Sequence, residues 1–241
     1  ANRWASRRTR SCTPIITTFI RDTNFPLPNE NKNRTAALTS MPYARKALRT
    51  TRFGLISGEG EQRMKKALIV IDMQNDFIDG ALGTKEAQAI IPRAVALVKS
   101  ASIDPATRLV FTQDTHTADY LSTAEGKKLP VPHCIKPQKG WEICPALAPY
   151  AARAIVIEKS SFGSTALPEA VKDCDHFLLI GLCTDICVIS NALLLKAFSP
   201  EKPIAVDASA CAGVTPASHQ QALAVMKMCH IDILNEGNDS L

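Results

Sequence analysis

The chain has 241 residues, of which 46% are hydrophobic and 21% charged, a composition that suits one globular domain of ordinary size. Its net charge of +5 is unevenly distributed, because residues 1–63 carry 12 basic against 4 acidic residues, whereas residues 64–241 carry 16 against 19. A nucleic-acid-binding function would therefore depend on the first 63 residues alone, and no apolar run approaches the roughly 18–20 residues that span a membrane.

Residues 1–63 predict no fold, since arginine, threonine, asparagine and proline dominate and apolar periodicity is absent. One interpretation is an organellar transit peptide, which is typically rich in arginine and poor in acidic residues. The other interpretation depends on residues 58–63, GEGEQR, which directly precede Met64. Codons made almost wholly of purines can encode this run. A ribosome-binding region translated by mistake has this composition. We therefore interpret 1–63 as a disordered leader or a non-native extension, and favour Met64 as the natural start.

Six short apolar runs alternate with helical patterns from Ala67 onward. The strands are predicted at residues 67–71, 109–112, 154–157, 177–180, 204–206 and 231–234, and the helices at 87–99, 166–172, 188–197 and from about Pro216. Strands that alternate with helices form right-handed crossovers and a parallel sheet. We therefore predict an α/β fold of three layers, α/β/α, around a six-stranded parallel sheet. In such sheets, ligands bind at the carboxyl ends of the strands.

Eight cysteines do not form a disulfide framework in a chain of this length. Seven of them lie in the second half, several inside predicted strands or helices, where cysteine serves as a small apolar residue. No secretory signal stands at the start of the sequence. A cytoplasmic location with reduced thiols is the expectation.

The candidate nucleophile lies in residues 181–187, GLCTDIC, which follow a predicted strand and precede a predicted helix. This placement puts Cys187 in the first turn of the helix, where unpaired N–H groups and the helix dipole stabilise a thiolate. A thiol nucleophile also needs a proton acceptor and a positive charge beside its anion. Asp72 and Lys159 each follow a predicted strand, so both are expected at the same sheet edge. Each residue alone has an ordinary structural explanation, but the combination predicts a catalytic site.

A second polar cluster follows the strand predicted at 109–112. Asp114 and His116 are two residues apart on an extended segment, so their side chains point the same way and can reach one ion. Glu125 and His133 are expected to return from the following loop. Oxygen and nitrogen ligands fit a divalent metal ion, with zinc as the first choice and iron or manganese as alternatives.

Two other interpretations of this loop stay open. One is a solvated loop with scattered polar residues. The other is a structural zinc knuckle built from His133, Cys134 and Cys144, which is weakened because no CxxC pair accompanies them.

Three motifs, in this order and spacing, resemble those of the isochorismatase-like cysteine hydrolases. They are VIDMQNDF at residues 70–77, the strand end at Lys159, and GLCTDIC at residues 181–187. The likeness extends over residues 66–235, and within the superfamily the chain is most similar to the nicotinamidases. The resemblance implies that 64–241 form one cysteine hydrolase domain with a catalytic triad of Asp72, Lys159 and Cys187.

The resemblance also implies how the nucleophile is surrounded. The bond between Leu182 and Cys183 corresponds to a cis peptide of the family, and the backbone amides of Cys183 and Cys187 correspond to its oxyanion hole. Phe77 and Phe162 match aromatic residues that line a small ring pocket. Trp141 lies nearby in this comparison, although ordinary core packing explains it better.

For the metal, Asp114, His116 and His133 match nicotinamidase ligands. Many nicotinamidases supply another histidine soon after the first, and this chain has none there. Glu125 fits a variant in which a carboxylate takes that position. The implied cofactor is thus one divalent ion held by these four side chains.

By resemblance, the expected reaction is hydrolysis of nicotinamide to nicotinate and ammonia through an acyl-thioester, as a step of NAD salvage. Cys187 argues against the true isochorismatases of the family, which lack that nucleophile. The expected partner is a small amide, without nucleic acid or membrane, and formation of a homo-oligomer is left open. One alternative is hydrolysis of another small amide, such as a ureido or carbamoyl compound. Another is a non-catalytic domain in which Cys183 and Cys187 form a redox-sensing pair.

Overall fold

The computed structural model describes residues 64–237. The prediction of a leader or extension at 1–63 lies outside the described residues, and Met64 as the natural start stays a prediction. Within the described part, no helix is long and apolar enough to cross a membrane. The cytoplasmic location stays a prediction.

Six parallel strands form one sheet, in the order β3-β2-β1-β4-β5-β6. They are β1 (Lys66–Ile71), β2 (Thr107–Asp114), β3 (Ile155–Lys159), β4 (His176–Leu182), β5 (Ile204–Ala212) and β6 (Asp232–Leu234). The chain runs outward from β1 to β3, then crosses back to β4 and runs outward to β6. This reversal leaves a crevice at the carboxyl ends of β1 and β4. The predicted six-stranded parallel sheet is confirmed.

Seven α-helices of the described segment cover the two faces of the sheet. They are α1 (Asn75–Ile78), α2 (Lys85–Ala89), α3 (Ile91–Ile103), α4 (Ala148–Ala151), α5 (Leu167–Ala170), α6 (Ile189–Phe198) and α7 (Pro216–Met228). Helix α3 contacts α2 and α4, whereas α6 contacts α5 and α7, so the helices form two separate groups. The three-layer arrangement is therefore the predicted one.

The core lies on both sides of β1. Ile69, Val70 and Ile71 are completely buried, which explains why this strand is a continuous apolar run rather than an alternating one. Strand β3 differs because it forms an edge of the sheet, and its Ile155 and Val156 are each 40% exposed.

The helix predicted at 87–99 is in fact two helices, α2 and α3, joined at Ile90. Pro92 lies in the first turn of α3, where its missing N–H group costs no helical hydrogen bond. The hydroxyl of Thr84 accepts a hydrogen bond from the N–H of Ala87 and caps α2. The periodicity over 87–99 therefore spans a proline-marked break that a single amphipathic pattern does not show.

Candidate active site

Four predicted site residues meet at the carboxyl edge of the sheet. Asp72 directly follows β1, while Asp114 and Lys159 are the last residues of β2 and β3. Asp114 and Lys159 are also register partners in the β2–β3 pair. Cys187 lies in a π-helical turn, Thr184–Val188, between β4 and α6. The sheet topology thus brings together side chains that are up to 115 positions apart in the sequence.

The backbone directly after β1 aims Asp72 into the crevice. Asp72 has a φ of 46°, in the left-handed region that aspartate tolerates better than most residues. Its carboxylate is fully buried, and Thr112 Oγ1 donates to Oδ1 at 2.7 Å. Gly181 of β4 packs against this strand end so closely that a Cβ there would lie 2.1 Å from the carbonyl oxygen of Ile71. A glycine at 181 therefore allows β4 to approach the base of the site.

The ammonium group of Lys159 contacts all the other charged or nucleophilic groups of the edge. Its Nζ lies 2.7 Å from Asp72 Oδ2, 3.2 Å from Asp114 Oδ1 and 3.5 Å from Cys187 Sγ. Burial lowers the pKa of Lys159, but the neighbouring Asp72, Cys187 and Asp114 charges outweigh burial and raise it above its usual value. Lys159 therefore stays protonated and supplies a full positive charge beside the thiol.

Cys187 is only 5% exposed, and burial raises the pKa of its thiol well above the usual value. The Asp72 charge acts in the same direction, and Lys159 opposes it. The resting side chain is consequently a thiol. Lys159 favours the thiolate as expected, but the cost of burying an anion and the Asp72 charge outweigh it. The turn is also π-helical, so Cys187 precedes the first residue of α6.

Burial likewise raises the pKa of Asp72 above its usual value, although Lys159 acts in the opposite direction. A carboxylate with a raised pKa is a better proton acceptor than an ordinary one. The Asp72 side chain also acts directly on the thiol, because its charge is one cause of the raised pKa of Cys187. The proton of Cys187 therefore has an acceptor within reach.

The peptide between Leu182 and Cys183 is cis, as the resemblance implied. Cys183 itself is extended, with φ −88° and ψ 146°, and its carbonyl oxygen accepts hydrogen bonds from the N–H groups of Ile186 and Val188. The backbone at Cys183 therefore closes the turn that carries Cys187.

A cluster of nitrogen and oxygen atoms lies next to Lys159. The ligand atoms of Asp114, His116 and His133 are all within 4.8 Å of one another, and all three residues are buried. Glu125 lies beside the two histidines, since its Oε1 is 3.6 Å from His133 Nε2 and 3.9 Å from His116 Nε2. The structure thus brings three of the predicted ligands into one group, and Glu125 as the fourth ligand stays a prediction.

The hydrogen bonding of the two histidines suits a divalent ion. His133 Nδ1 lies 2.8 Å from the carbonyl oxygen of Val131, which can only accept, so Nδ1 carries a proton and, in the neutral ring, Nε2 keeps its lone pair. His116 Nε2 is buried and makes no hydrogen bond of acceptable geometry, although Asp114 Oδ2 lies 2.9 Å away. Two free imidazole nitrogens and two carboxylates are a ligand set typical of zinc, iron or manganese.

The loop after β2 is shaped to present Glu125. The Thr123 hydroxyl donates to the carbonyl oxygen of Tyr120 at 2.7 Å and accepts from the N–H of Gly126 at 3.0 Å. A Cβ at Gly126 would lie 2.1 Å from that same Tyr120 carbonyl oxygen, so only glycine fits beside Glu125. The Tyr120 ring packs at 4.7 Å from His116 and 5.0 Å from His133, between centroids. Burial raises the pKa of Tyr120 to about 12, which keeps its hydroxyl neutral.

A cavity of about 940 Å³ is lined both by the candidate metal ligands and by Cys187. Phe77 and Phe162, the two predicted aromatic contacts, both line it. Phe77 is buried and its ring lies 5.5 Å from that of His133, whereas Phe162 is 47% exposed at the mouth. Trp141 is not among the lining residues. Its Nε1 donates a hydrogen bond to Thr115 Oγ1 at 2.9 Å, and its ring packs against the core. Core packing is what the sequence analysis favoured for Trp141.

A family model for the isochorismatase domain matches residues 66–235. The chain belongs to the isochorismatase family. The uncharacterized isochorismatase family protein PncA of Bacillus subtilis (strain 168) is 31% identical over 173 residues, which cover 66% of this chain and 93% of that protein. The resemblance inferred from the three motifs is thereby confirmed.

Solved structures of the isochorismatase family agree with this fold. The nicotinamidase/pyrazinamidase PncA from Bacillus subtilis has 30% sequence identity and a TM-score of 0.63, covering 71% of this chain and 100% of that one. The pyrazinamidase of Pyrococcus horikoshii in complex with zinc has 25% identity and a TM-score of 0.58, covering 70% of this chain and 98% of that one. Both are thus similar to this chain over nearly their own full length.

Several supports of this isochorismatase-family site were missed by the sequence reasoning. Gln74 is fully buried: its Nε2 donates to the carbonyl oxygen of Asp114 at 2.8 Å and its Oε1 accepts from the Asp114 N–H at 2.7 Å. Asn191 is also fully buried and donates to the carbonyl oxygen of Cys187 at 2.8 Å. Gln74 stands inside a quoted motif and Asn191 interrupts an apolar helix. Each has polar neighbours in the sequence, so no pattern singles out either residue.

Two alternative interpretations lose their geometric basis. The zinc knuckle required His133 to face Cys134 and Cys144, but His133 Nε2 faces Asp114 and Glu125 instead. The redox pair required Cys183 and Cys187 to share a helix, and Cys183 is extended. Both cysteines are free thiols.

Proposed function

We propose that this protein is a metal-dependent amidohydrolase that converts nicotinamide to nicotinate and ammonia, with Cys187, Asp72 and Lys159 as its catalytic residues. The observation that carries the proposal is the position of Lys159 Nζ, 2.7 Å from the carboxylate and 3.5 Å from the sulfur. One ammonium group so placed can stabilise both anions of a cysteine hydrolase. The names of the two similar structures, nicotinamidase/pyrazinamidase and pyrazinamidase, support an aromatic amide as substrate.

The first chemical step is transfer of the thiol proton. Cys187 rests as a thiol, and Asp72 has the raised pKa of a competent base. As Asp72 takes the proton, the sulfur becomes negatively charged. The Lys159 ammonium group faces that sulfur and stabilises the new charge. The thiolate then attacks the amide carbonyl carbon, and a C–S bond replaces the carbonyl π bond.

The remaining steps return the proton and release both products. The backbone amides of Cys183 and Cys187 hold the oxyanion of the tetrahedral intermediate. When the C–N bond breaks, Asp72 gives its proton to the nitrogen and ammonia leaves. Water, deprotonated by the same carboxylate, then hydrolyses the acyl-thioester and restores the thiol, with nicotinate as the second product.

Asp114, His116, Glu125 and His133 are the residues that would hold the metal ion. When bound, the ion supplies a Lewis-acidic position for the pyridine nitrogen of the substrate. On the protein side, Phe77 and Phe162 flank the cavity between this cluster and Cys187, so a flat aromatic ring can pack between them. Positioning of the amide over the sulfur is then a large part of the catalysis.

An ammonia-release assay on nicotinamide, with and without a metal chelator, tests the proposal. We expect turnover by the metal-loaded protein, loss of turnover with the chelator, and recovery when zinc, iron or manganese is added back. Turnover of a ureido or carbamoyl compound that resists the chelator, together with no activity on nicotinamide, would instead assign the site to a different small amide.

A further inference from the structure

Helix α7 reaches the turn that carries the nucleophile through His219. His219 Nδ1 lies 2.8 Å from the hydroxyl oxygen of Thr184, the first residue of the π-helical turn. The Thr184 side chain is completely buried, while His219 is partly buried. Neither residue has a role in the proposed chemistry, yet a buried polar pair of this kind costs free energy unless both members are satisfied. The pair therefore links α7 to the nucleophile turn.

Thr184 also controls the other end of the turn. Its carbonyl oxygen accepts a hydrogen bond from the N–H of Ile189, the first residue of α6. Cys187 lies between these two residues. The position of Thr184 consequently sets where the turn begins and how it joins α6, and with them the direction of the Cys187 side chain.

The segment that carries His219 is itself held tightly against the turn. A Cβ at Gly213 would lie 2.9 Å from the backbone nitrogen of His219, so the chain after β5 passes directly beside this residue. The N–H of Val214 donates to the Asp185 carboxylate at 3.1 Å. Thr215 and Ser218 form a capping box that fixes the start of α7. His219 thus has little freedom to follow Thr184 if the turn moves.

We propose that His219 is a positioning residue, which acts through Thr184 to hold Cys187 Sγ in reach of Asp72 and Lys159. This role rests on the proposed hydrolysis at Cys187. The sulfur lies 3.5 Å from Lys159 Nζ, and a displacement of about 1 Å at a reacting atom can lower a rate about a hundredfold. The hydrogen bond between His219 and Thr184, called the tether below, prevents such a displacement at the start of the turn without contact with the substrate.

Matched variants test the tether. His219→Leu and Thr184→Val each remove the hydrogen bond, and we expect kcat for nicotinamide to fall about ten- to a hundredfold with KM changed less than about twofold. His219→Asn retains a polar atom near the position of Nδ1, and Thr184→Ser retains the hydroxyl, so both should keep most of the wild-type kcat. The double variant His219→Leu/Thr184→Val should be no slower than the slower single variant, because both changes break the same hydrogen bond.

A second measurement does not depend on the substrate. The charges that act on the Cys187 thiol are those of Lys159, Asp72 and Asp114. Asp72 and Lys159 act on the Cys187 pKa in opposite directions. If the sulfur moves relative to these two groups, the pH midpoint for its alkylation by iodoacetamide should shift in His219→Leu and in Thr184→Val, and stay unchanged in His219→Asn. The Cys187→Ala protein gives the background from the other cysteines.

The outcomes separate the two proposals. No ammonia from nicotinamide with wild-type protein, but the expected shifts in the alkylation midpoint, would refute the substrate and retain the tether. An unchanged midpoint, an additive loss in the double variant, or loss of zinc binding together with a raised KM would overturn the tether and leave His219 a purely structural residue. If His219→Leu does not fold, the comparison of Thr184→Val with Thr184→Ser decides the matter in the same way.

Discussion

Lys159 Nζ and Asp114 Oδ1 lie 3.2 Å apart because the two residues are register partners at the ends of neighbouring strands. The other oxygen of the same carboxylate, Oδ2, lies 2.9 Å from His116 Nε2. One side chain thus contacts both the cluster that suits a metal ion and the charge that faces the nucleophile. Burial alone raises the pKa of Asp114, but its contacts with His116, His133 and Lys159 outweigh burial and hold the pKa below the usual range. Asp114 is therefore ionised at neutral pH.

Asp114→Asn should affect both halves of the site, because the amide keeps the shape and loses the charge. We expect zinc affinity to fall at least about tenfold, and kcat to stay low even at saturating zinc, since Lys159 loses one of its two carboxylate partners. Glu125→Gln should lower zinc affinity and recover kcat at high zinc.

Zinc titration combined with ammonia release measures the difference between the two variants. Asp119→Asn, in the exposed part of the loop, is the control. Full activity of Asp114→Asn at saturating zinc would contradict the shared role.

The two cysteines of residues 181–187 should differ sharply. Cys187→Ala removes the nucleophile, so turnover should fall by several orders of magnitude. Cys183→Ala keeps the backbone amide proposed for the oxyanion hole, so most activity should remain. Steady-state ammonia release on both variants is the measurement. Equal losses would show that the roles are wrongly assigned.

Asp72→Asn should have opposite effects on turnover and on thiol reactivity. Turnover should fall by orders of magnitude, because no base accepts the thiol proton. The Asp72 charge is, however, one cause of the raised pKa of Cys187, so its removal lowers that pKa and increases the thiolate fraction at pH 7. Alkylation of Cys187 at pH 7 should therefore become faster than in the wild type. Asp79→Asn, an exposed carboxylate after α1, should change neither rate; slower alkylation of Asp72→Asn would contradict the argument.

Asp207 provides a test of stability away from the site. Burial alone raises the pKa of Asp207, but hydrogen bonds from Ser209, Arg93 and Asn235 outweigh it and hold the pKa below its usual value. A carboxyl with a lowered pKa stabilises the fold above its unfolded pKa of about 4 and loses that contribution as the pH falls through its folded pKa. Asp207→Asn should therefore lower the free energy of unfolding by roughly 1–3 kcal/mol at pH 7.

Denaturant unfolding of Asp207→Asn and wild type at pH 7 and at pH 3 checks this sign. The difference between the two proteins should shrink at pH 3. Asp232→Asn, an exposed residue of β6, is the control and should be neutral at both values of pH. An equal difference at both would show that the Asp207 charge contributes nothing.

Much of the architecture could be predicted because each strand is a local pattern. The apolar run at β1 and the strand end at Lys159 are visible without any knowledge of the fold. The break between α2 and α3 was missed, since the apolar periodicity continues across it and only Pro92 marks it. Gln74 and Asn191 were missed for a different reason. Their partners are backbone atoms, and which backbone groups lack a partner becomes visible only after the chain has folded.

The sequence by itself identified the candidate nucleophile at residues 181–187: a cysteine between a strand and a helix, with a glycine where β4 meets β1. It also supplied the candidates for the base, the lysine and the four metal ligands. Only the tertiary structure decided the state of the thiol, because burial is a property of the whole fold and here outweighs the nearby positive charge. The structure likewise decided that Asp114 contacts Lys159, since strand register is set by the packing of the entire sheet rather than by either strand alone.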